Sequence, residues 1–254
     1  MSISEKLTTI AENEQKVYDK GVEDGKKSEY DTFWDIFQKN GTEKVSYRYA
    51  FSGNWDSRNF KPKYDFNLFS EGLSYAFYNC GSGLTDEEHR IDLIEVSKKV
   101  KLFYENDSFY YTFYESRVLT VPTININKTR GTSVLNSTFR YASRLHTIEK
   151  IILSDHKDGT STSFNNTFYG ASRLTNIRFE GVINRDINFA QSPLSVESCK
   201  NIIEHLCNYA GTTNESKYKL TLKDTSWADL NEAEAPPSGD TWQEYVYSLG
   251  WNYA

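Results

Sequence analysis

Any chemistry in this chain has to come from few side chains. The four histidines are His89, His146, His156 and His205. No two stand three or four residues apart, and no cysteine sits at ligand spacing from one, so the sequence offers no zinc-type ligand set. The run Asp86-Glu87-Glu88-His89-Arg90 reads as a solvated charged turn. Glu87 and Glu88 are neighbours on that turn, whereas glycoside hydrolysis needs two carboxyl groups facing each other across a bond. Gly-rich phosphate loops and nucleophile elbows are missing. Cys80, Cys199 and Cys207 are odd in number and widely spaced, which is no disulfide framework. Cys199 and Cys207 fall in one expected helix, about 12 Å apart along its axis, too far to bridge. All three thiols read as small buried hydrophobes. The expectation is a protein that is not an enzyme, with no catalytic residue, cofactor or metal.

A second set of residues recurs. Arg144 and Arg173 hold the same place in two near-copies of one phrase, "STFRYASRLHTI" (137–148) and "NTFYGASRLTNI" (166–177), and Arg117 lies in a less regular copy. Tyr141 and Tyr169 accompany them. One reading is a basic and aromatic strip formed by Arg117, Tyr141, Arg144, Tyr169 and Arg173 that touches a carbohydrate or protein. The other is an exposed turn whose arginines pair with Asp or Glu of the next copy.

The elements that position these residues follow from the repeat itself. The two phrases are identical at seven of twelve positions and stand 29 residues apart. With their phenylalanine as register mark, the chain yields Phe51, Phe77, Phe113, Phe139 and Phe168, at intervals of 26, 36, 26 and 29 residues. Such a period, with Leu and Ile at fixed offsets from an aromatic, is the signature of a leucine-rich type of solenoid. Leu145, Ile148 and Ile151, and Leu174, Ile177 and Phe179, are expected to point inward from short parallel strands that stack in sequence order. "TFYGAS" is the turn or short helix on the opposite side. Phe77, Phe113, Phe139 and Phe168 are then a structural ladder of rings, because one coil cannot bury its apolar face without neighbours. Polar insertions at 52–66, 81–90 and 154–163 fall between units.

The ends have a different grammar. Residues 1–40 read as helix. Ile3, Leu7, Ile10 and Val17 follow an a/d spacing, and Tyr30, Phe33, Trp34 and Phe37 make an apolar face. The first part, residues 1–20, either pairs with copies of itself as a homo-oligomer or docks locally; the second caps the body. In the C-terminal region, Ser195 is the N-cap of a helix whose face is Val196, Cys199, Ile203 and Leu206, ended by Gly211. Tyr218, Leu220 and Leu222 alternate as a strand. Thr241 and Glu244 form the capping box of a last short helix. The fold class is thus α/β: a leucine-rich-repeat solenoid with short parallel strands at 41–190, an N-terminal helical segment at 1–40, and a C-terminal helix-strand-helix cap at 191–254.

Composition excludes several function classes. The net charge of −6 leaves no basic stripe to neutralise phosphates, so nucleic acid is not an expected partner. No run of 18 apolar residues offers a spanning helix, and "MSISEKLTTIAENEQK" lacks the basic-then-apolar order of a secretory signal. The protein is expected to stay in the compartment that made it or to leave on lysis. Aromatics make up 15% of the chain, too many for a disordered one, so they must be buried or bind something.

At Phe168-Tyr-Gly-Ala-Ser-Arg-Leu-Thr-Asn-Ile177 the chain resembles the BspA-type (Treponema-type) leucine-rich repeats, whose unit reads approximately Ala-Phe-x-x-Cys-x-x-Leu-x-x-Ile. "AFYNCGSGLT" (76–85) is similar with one extra residue before Leu84. Ala142 and Ala171 stand where that family often has Cys, and the unit at Phe113 is one residue short before its Arg. The N-terminal "SEKLTTIAENEQKVYDKG" and the tail "FAQSPLSVESCKNII…LGWNYA" resemble repeat proteins of tailed phages and prophages of Gram-positive gut bacteria. The resemblance implies a virion, tail or baseplate appendage, made in the bacterial cytoplasm, whose partners are other virion proteins or a host cell-surface protein or glycan. The alternative it leaves is a bacterial cell-surface adhesin, which would need an export route.

Overall fold

The described units marked by Phe77, Phe113, Phe139 and Phe168 share one turn, and its geometry explains the repeat. In the computed structural model the described residues are 75–80, 109–121, 123–126, 134–153 and 163–254. The residues two before and two after each marker phenylalanine have positive φ: Tyr75 and Asn79, Tyr111 and Glu115, Ser137 and Tyr141, Asn166 and Gly170. This alternation points successive amides in different directions. The Ser137, Phe139 and Tyr141 amides donate across to Asn165, Thr167 and Tyr169 carbonyls, at 3.0, 3.0 and 2.7 Å. The intervening Thr138, Arg140 and Ala142 amides donate back within the turn to Leu135, Ser137 and Phe139. The same two ladders join the turns at Phe77 and Phe113 and those at Phe113 and Phe139. The irregular backbone can therefore be buried, since its polar groups find partners in the adjacent turn.

Side chains add three columns to the ladder. The rings of Phe77, Phe113, Phe139, Phe168 and Phe189 stack in sequence, with successive centroids 5.3, 5.5, 5.8 and 4.4 Å apart. One residue before the ring, Thr138 and Thr167 are buried and donate their hydroxyls to the carbonyls of Phe109 and Leu135, both at 2.7 Å. Three residues after it, the buried positions are Cys80, Ser116, Ala142, Ala171 and Ser192, small because the facing turns leave little room.

The turns lead into short parallel strands. β1 (Thr120–Val121) and β2 (Ile124–Asn125) pair with successive parts of β3 (Thr147–Ile152), and β3 pairs with β4 (Asn176–Glu180), so the order follows the sequence. Val121, Ile148 and Ile177 share one register row, and Ile124, Ile151 and Phe179 the next; all are buried. The register between β3 and β4 shifts between Ile148 and Ile151. That bulge lets Ile148 and Ile151 both face inward, although they are three residues apart and strict alternation would expose one.

A second sheet follows. β5 (Ile187–Phe189), β6 (Lys219–Leu222) and β7 (Asn252–Tyr253) are parallel, in that order. Phe189 belongs to β5 and also ends the ring column, so this side chain is shared by the two regions. Helix α1 (Val196–Glu204) packs against β4 and against α2 (Asp224–Ala233), and α3 (Trp242–Ser248) packs against β7 and α2. The described chain is thus a mixed α/β structure with short parallel strands in two small sheets and three helices.

Helix α1 closes the free edge of β4. Ser198 Oγ accepts the Ile177 amide at 3.0 Å and donates to Thr175 O at 3.2 Å. Asn201 Oδ1 accepts the Phe179 amide at 2.6 Å. Two side chains therefore take the place of the carbonyls that a further strand would supply, and the edge is covered.

Several sequence expectations need amendment here. Helix α1 ends at Glu204, not at Gly211, because the chain straightens to bridge Leu206 to Ile183 and to donate the Cys207 amide to Ile183 O. Cys207 is consequently outside the helix that carries Cys199. Ser195 caps α1 as expected, and Thr241 with Glu244 forms the full capping box of α3. The cap also holds α2 and β7, which a helix-strand-helix description omits. α2 escapes notice because "DTSWADLNEA" is polar; its buried face is Ser226, Trp227 and Leu230. The segment 1–40, the coil at Phe51, the insertions at 52–66 and 81–90, and nearly all of 154–163 lie outside the described residues.

Candidate functional site

The turn that buries the phenylalanine ladder places the residue after each ring on its outer side. Those residues are Tyr78, Tyr114, Arg140 and Tyr169. Tyr78 and Tyr114 stack with centroids 5.0 Å apart and 4° between ring planes. Tyr75 stacks on Tyr111 at 5.1 Å, and Tyr111 on Tyr114 at 5.0 Å. Tyr110 meets Tyr111 edge-on at 4.5 Å. Tyr141 continues the strip, edge-on to Tyr114 at 5.7 Å and to Tyr169 at 5.4 Å. A band of tyrosines thus runs across the four described turns, parallel to the buried phenylalanines.

Arg140 is set inside that band. Its guanidinium carbon lies 5.0 Å from the Tyr141 ring centroid, 5.6 Å from Tyr169 and 5.9 Å from Tyr114. The negative faces of three rings attract the cation. The hydrogen bond with Tyr141 raises the pKa of Arg140 above the ordinary guanidinium value, against burial that works the other way. The Tyr114 phenol is also raised, by burial first and then by the Glu115 carboxylate beside it, while Arg140 opposes both. Arg140 Nε is buried and has no hydrogen-bond partner among the described residues. The ion pairs found among those residues, Lys150 with Glu180 and Lys200 with Glu234, do not include it.

The order of residue types in two successive turns makes this arrangement possible. Tyr141 stands two residues after its phenylalanine, and the corresponding residue of the next turn is Gly170. A Cβ on Gly170 would lie 2.6 Å from Tyr141 Cδ1. The bare glycine therefore lets the Tyr141 ring lie over the following turn, where it reaches Tyr169. Tyr141 and Tyr169 remain 38% and 45% exposed, the two rings of the strip most open to a ligand.

The expected strip is thus present in part and differently composed. Tyr141 and Tyr169 lie in it, next to each other. The arginine among the rings is Arg140, which sequence reasoning passed over in favour of the repeated Arg144 and Arg173. Arg144 is half-buried and Arg173 exposed, both where the turn leads into the strand, and Arg117 lies where its amide donates to Cys80 O at 3.0 Å. Recurrence at a fixed offset marked an equivalent place at the exit of successive turns. The usable signal was the column just after each phenylalanine, where an arginine interrupts three tyrosines. Phe77, Phe113, Phe139 and Phe168 are buried in one column and touch no surface.

Among the described residues no group of three His, Cys, Asp or Glu could hold a metal ion, and no helix is long and apolar enough to cross a membrane. No family model, curated protein or solved structure matches the chain.

Proposed function

We propose that this chain is a non-enzymatic recognition module: a leucine-rich-repeat solenoid of the BspA type, carried as an appendage of a phage particle, that contacts a host cell surface through its tyrosine strip. The observation that carries the reading is the strip itself. Tyrosine is a large amphipathic ring with few rotatable bonds, so a rigid row of them gives contact area at small entropic cost. The turn ladders hold that row on a fixed backbone, which is the preorganisation a binding surface needs.

The solenoid reading is supported by the recurrence of one turn, one ring column and one strand register along the chain. The phage setting rests on the resemblance of the two end segments. The test has two parts. The full chain, labelled with a fluorophore, is expected to bind cells or purified envelopes of a susceptible Gram-positive host, and the Tyr141→Ala/Tyr169→Ala double variant to lose that binding while melting as a folded protein. Mass spectrometry of purified particles is expected to find the chain. Unchanged binding by the double variant would remove the strip from the proposal; absence from particles would remove the phage setting.

A further inference from the structure

We infer that Arg140, caged by Tyr114, Tyr141 and Tyr169, is the seat for the acidic group of a saccharide, so that the strip selects sugars bearing a carboxylate over neutral ones. The inference rests on the recognition role proposed above and narrows it to one ligand class.

The first argument is charge. In a chain of net charge −6, Arg140 is a half-buried guanidinium with no carboxylate paired to it among the described residues. The rings around it stabilise the cation and Tyr141 also hydrogen-bonds it, while Nε has no partner among the described residues. A guanidinium held in that way binds a carboxylate more strongly than a hydrated one does, because part of its water is already gone and its fork is fixed.

The second argument is shape. A peptide would gain affinity from main-chain hydrogen bonds to a free strand edge or from an apolar groove for its side chains. At these turns the edge is not free: the amides of Glu115, Phe139 and Tyr141 already donate to the Arg140, Thr167 and Tyr169 carbonyls of the next turn. The apolar residues of the turn, Phe139 and Phe168, are fully covered. What remains on the surface is aromatic carbon, phenol, one cation and, at the Tyr114 phenol, the exposed Glu115 carboxylate, which Tyr114 separates from the Tyr141 and Tyr169 corner. Two rings at 78° to each other, Tyr141 and Tyr169, form a corner in which a pyranose can lay its C–H face on one ring and direct hydroxyls at the phenols.

The test compares three probes on the full chain by titration calorimetry: a short oligogalacturonate, a neutral galacto-oligosaccharide of equal length, and oligoglutamate. The uronate is expected to bind most tightly, and to weaken as salt is raised through the range that screens exposed charges. Arg140→Gln is expected to lose at least about tenfold in uronate affinity, the loss typical of a charge-assisted hydrogen bond. It should cost the uronate more than it costs the neutral sugar, so that the preference between the two narrows. Arg140→Lys keeps the charge but not the fork and should fall between. The salt dependence of the unaltered protein needs no variant, so a folding defect in Arg140→Gln cannot mask the answer. Equal affinity for the neutral sugar, or preference for oligoglutamate, overturns the inference and leaves the recognition role standing. Failure of every probe at the strip, together with undiminished cell binding by the Tyr141→Ala/Tyr169→Ala variant, would remove both.

Discussion

Asn201 on helix α1 accepts the Phe179 amide of strand β4 at 2.6 Å and sets its own amide 3.4 Å from the Phe179 carbonyl. One side chain thereby imitates both partners that a neighbouring strand would present. The parallel sheet ends there without leaving a row of open donors and acceptors. Asn201→Ala should cost about 1–3 kcal/mol, the desolvation penalty of unsatisfied buried groups. Urea unfolding measures that loss, and light scattering should show association through the uncovered edge. A variant as stable and as monodisperse as the parent would mean that the edge does not depend on this contact.

The ring column makes a separate prediction. Phe113 and Phe139 face each other at 5.5 Å with 3° between planes, both buried. Each Phe→Ala change should cost about 3–5 kcal/mol. The double variant should cost less than the sum by about 0.5–1.5 kcal/mol, the coupling of a stacked pair. Strict additivity in that cycle would show that the rings are buried independently and do not communicate along the stack.

Backbone conformation offers a test in two directions. Glu115 is exposed and has a φ of 53°, a region that penalises every side chain with a Cβ. Glu115→Gly relieves about 1–2 kcal/mol of that penalty and gives back about 0.4–1 kcal/mol to the looser unfolded chain. The result should be a net gain of stability. Gly170, at φ 79°, is the opposite case. A methyl group there collides with Tyr141, so Gly170→Ala should destabilise the fold and displace the strip at once. Thermal melting gives both signs; a stabilising Gly170→Ala would contradict the described position of the Tyr141 ring.

Alkaline pH should weaken the fold through Cys199. Burial, with Asp229 adding to it, pushes this thiol from a usual 9.0 up to about 12. The folded state keeps its proton where the unfolded state releases it, so the contribution is complete below about pH 9 and is lost as pH rises towards about 12. Stability should fall through that window, and Cys199→Ala should remove this part of the slope. Below it, Cys80, Cys199 and Cys207 are all buried and should resist iodoacetamide until denaturant is added. Rapid labelling of Cys199 in the folded protein at pH 8 would contradict its described burial.

The sequence by itself determined the periodic features. Each turn carries the same steric demands, so Phe139 and Phe168, Ala142 and Ala171, Leu145 and Leu174, and Ile148 and Ile177 recur in pairs and announce the columns they occupy. Caps are similarly local, which is why Ser195 and the Thr241 with Glu244 pair could be placed from residue type and spacing alone. Contacts between different grammars were not legible. Whether α1 would stop at Glu204, and that its Ser198 and Asn201 would serve β4, depended on where Ile183 and Phe179 came to lie. The place of Arg140 was decided in the same way. Nothing in its own turn distinguishes it from Arg144; only the stacking of three turns puts tyrosine rings on three sides of one cation and leaves the other to the turn's exit. Periodicity encodes what each winding must do for itself, while a site made of several windings is fixed only when they meet.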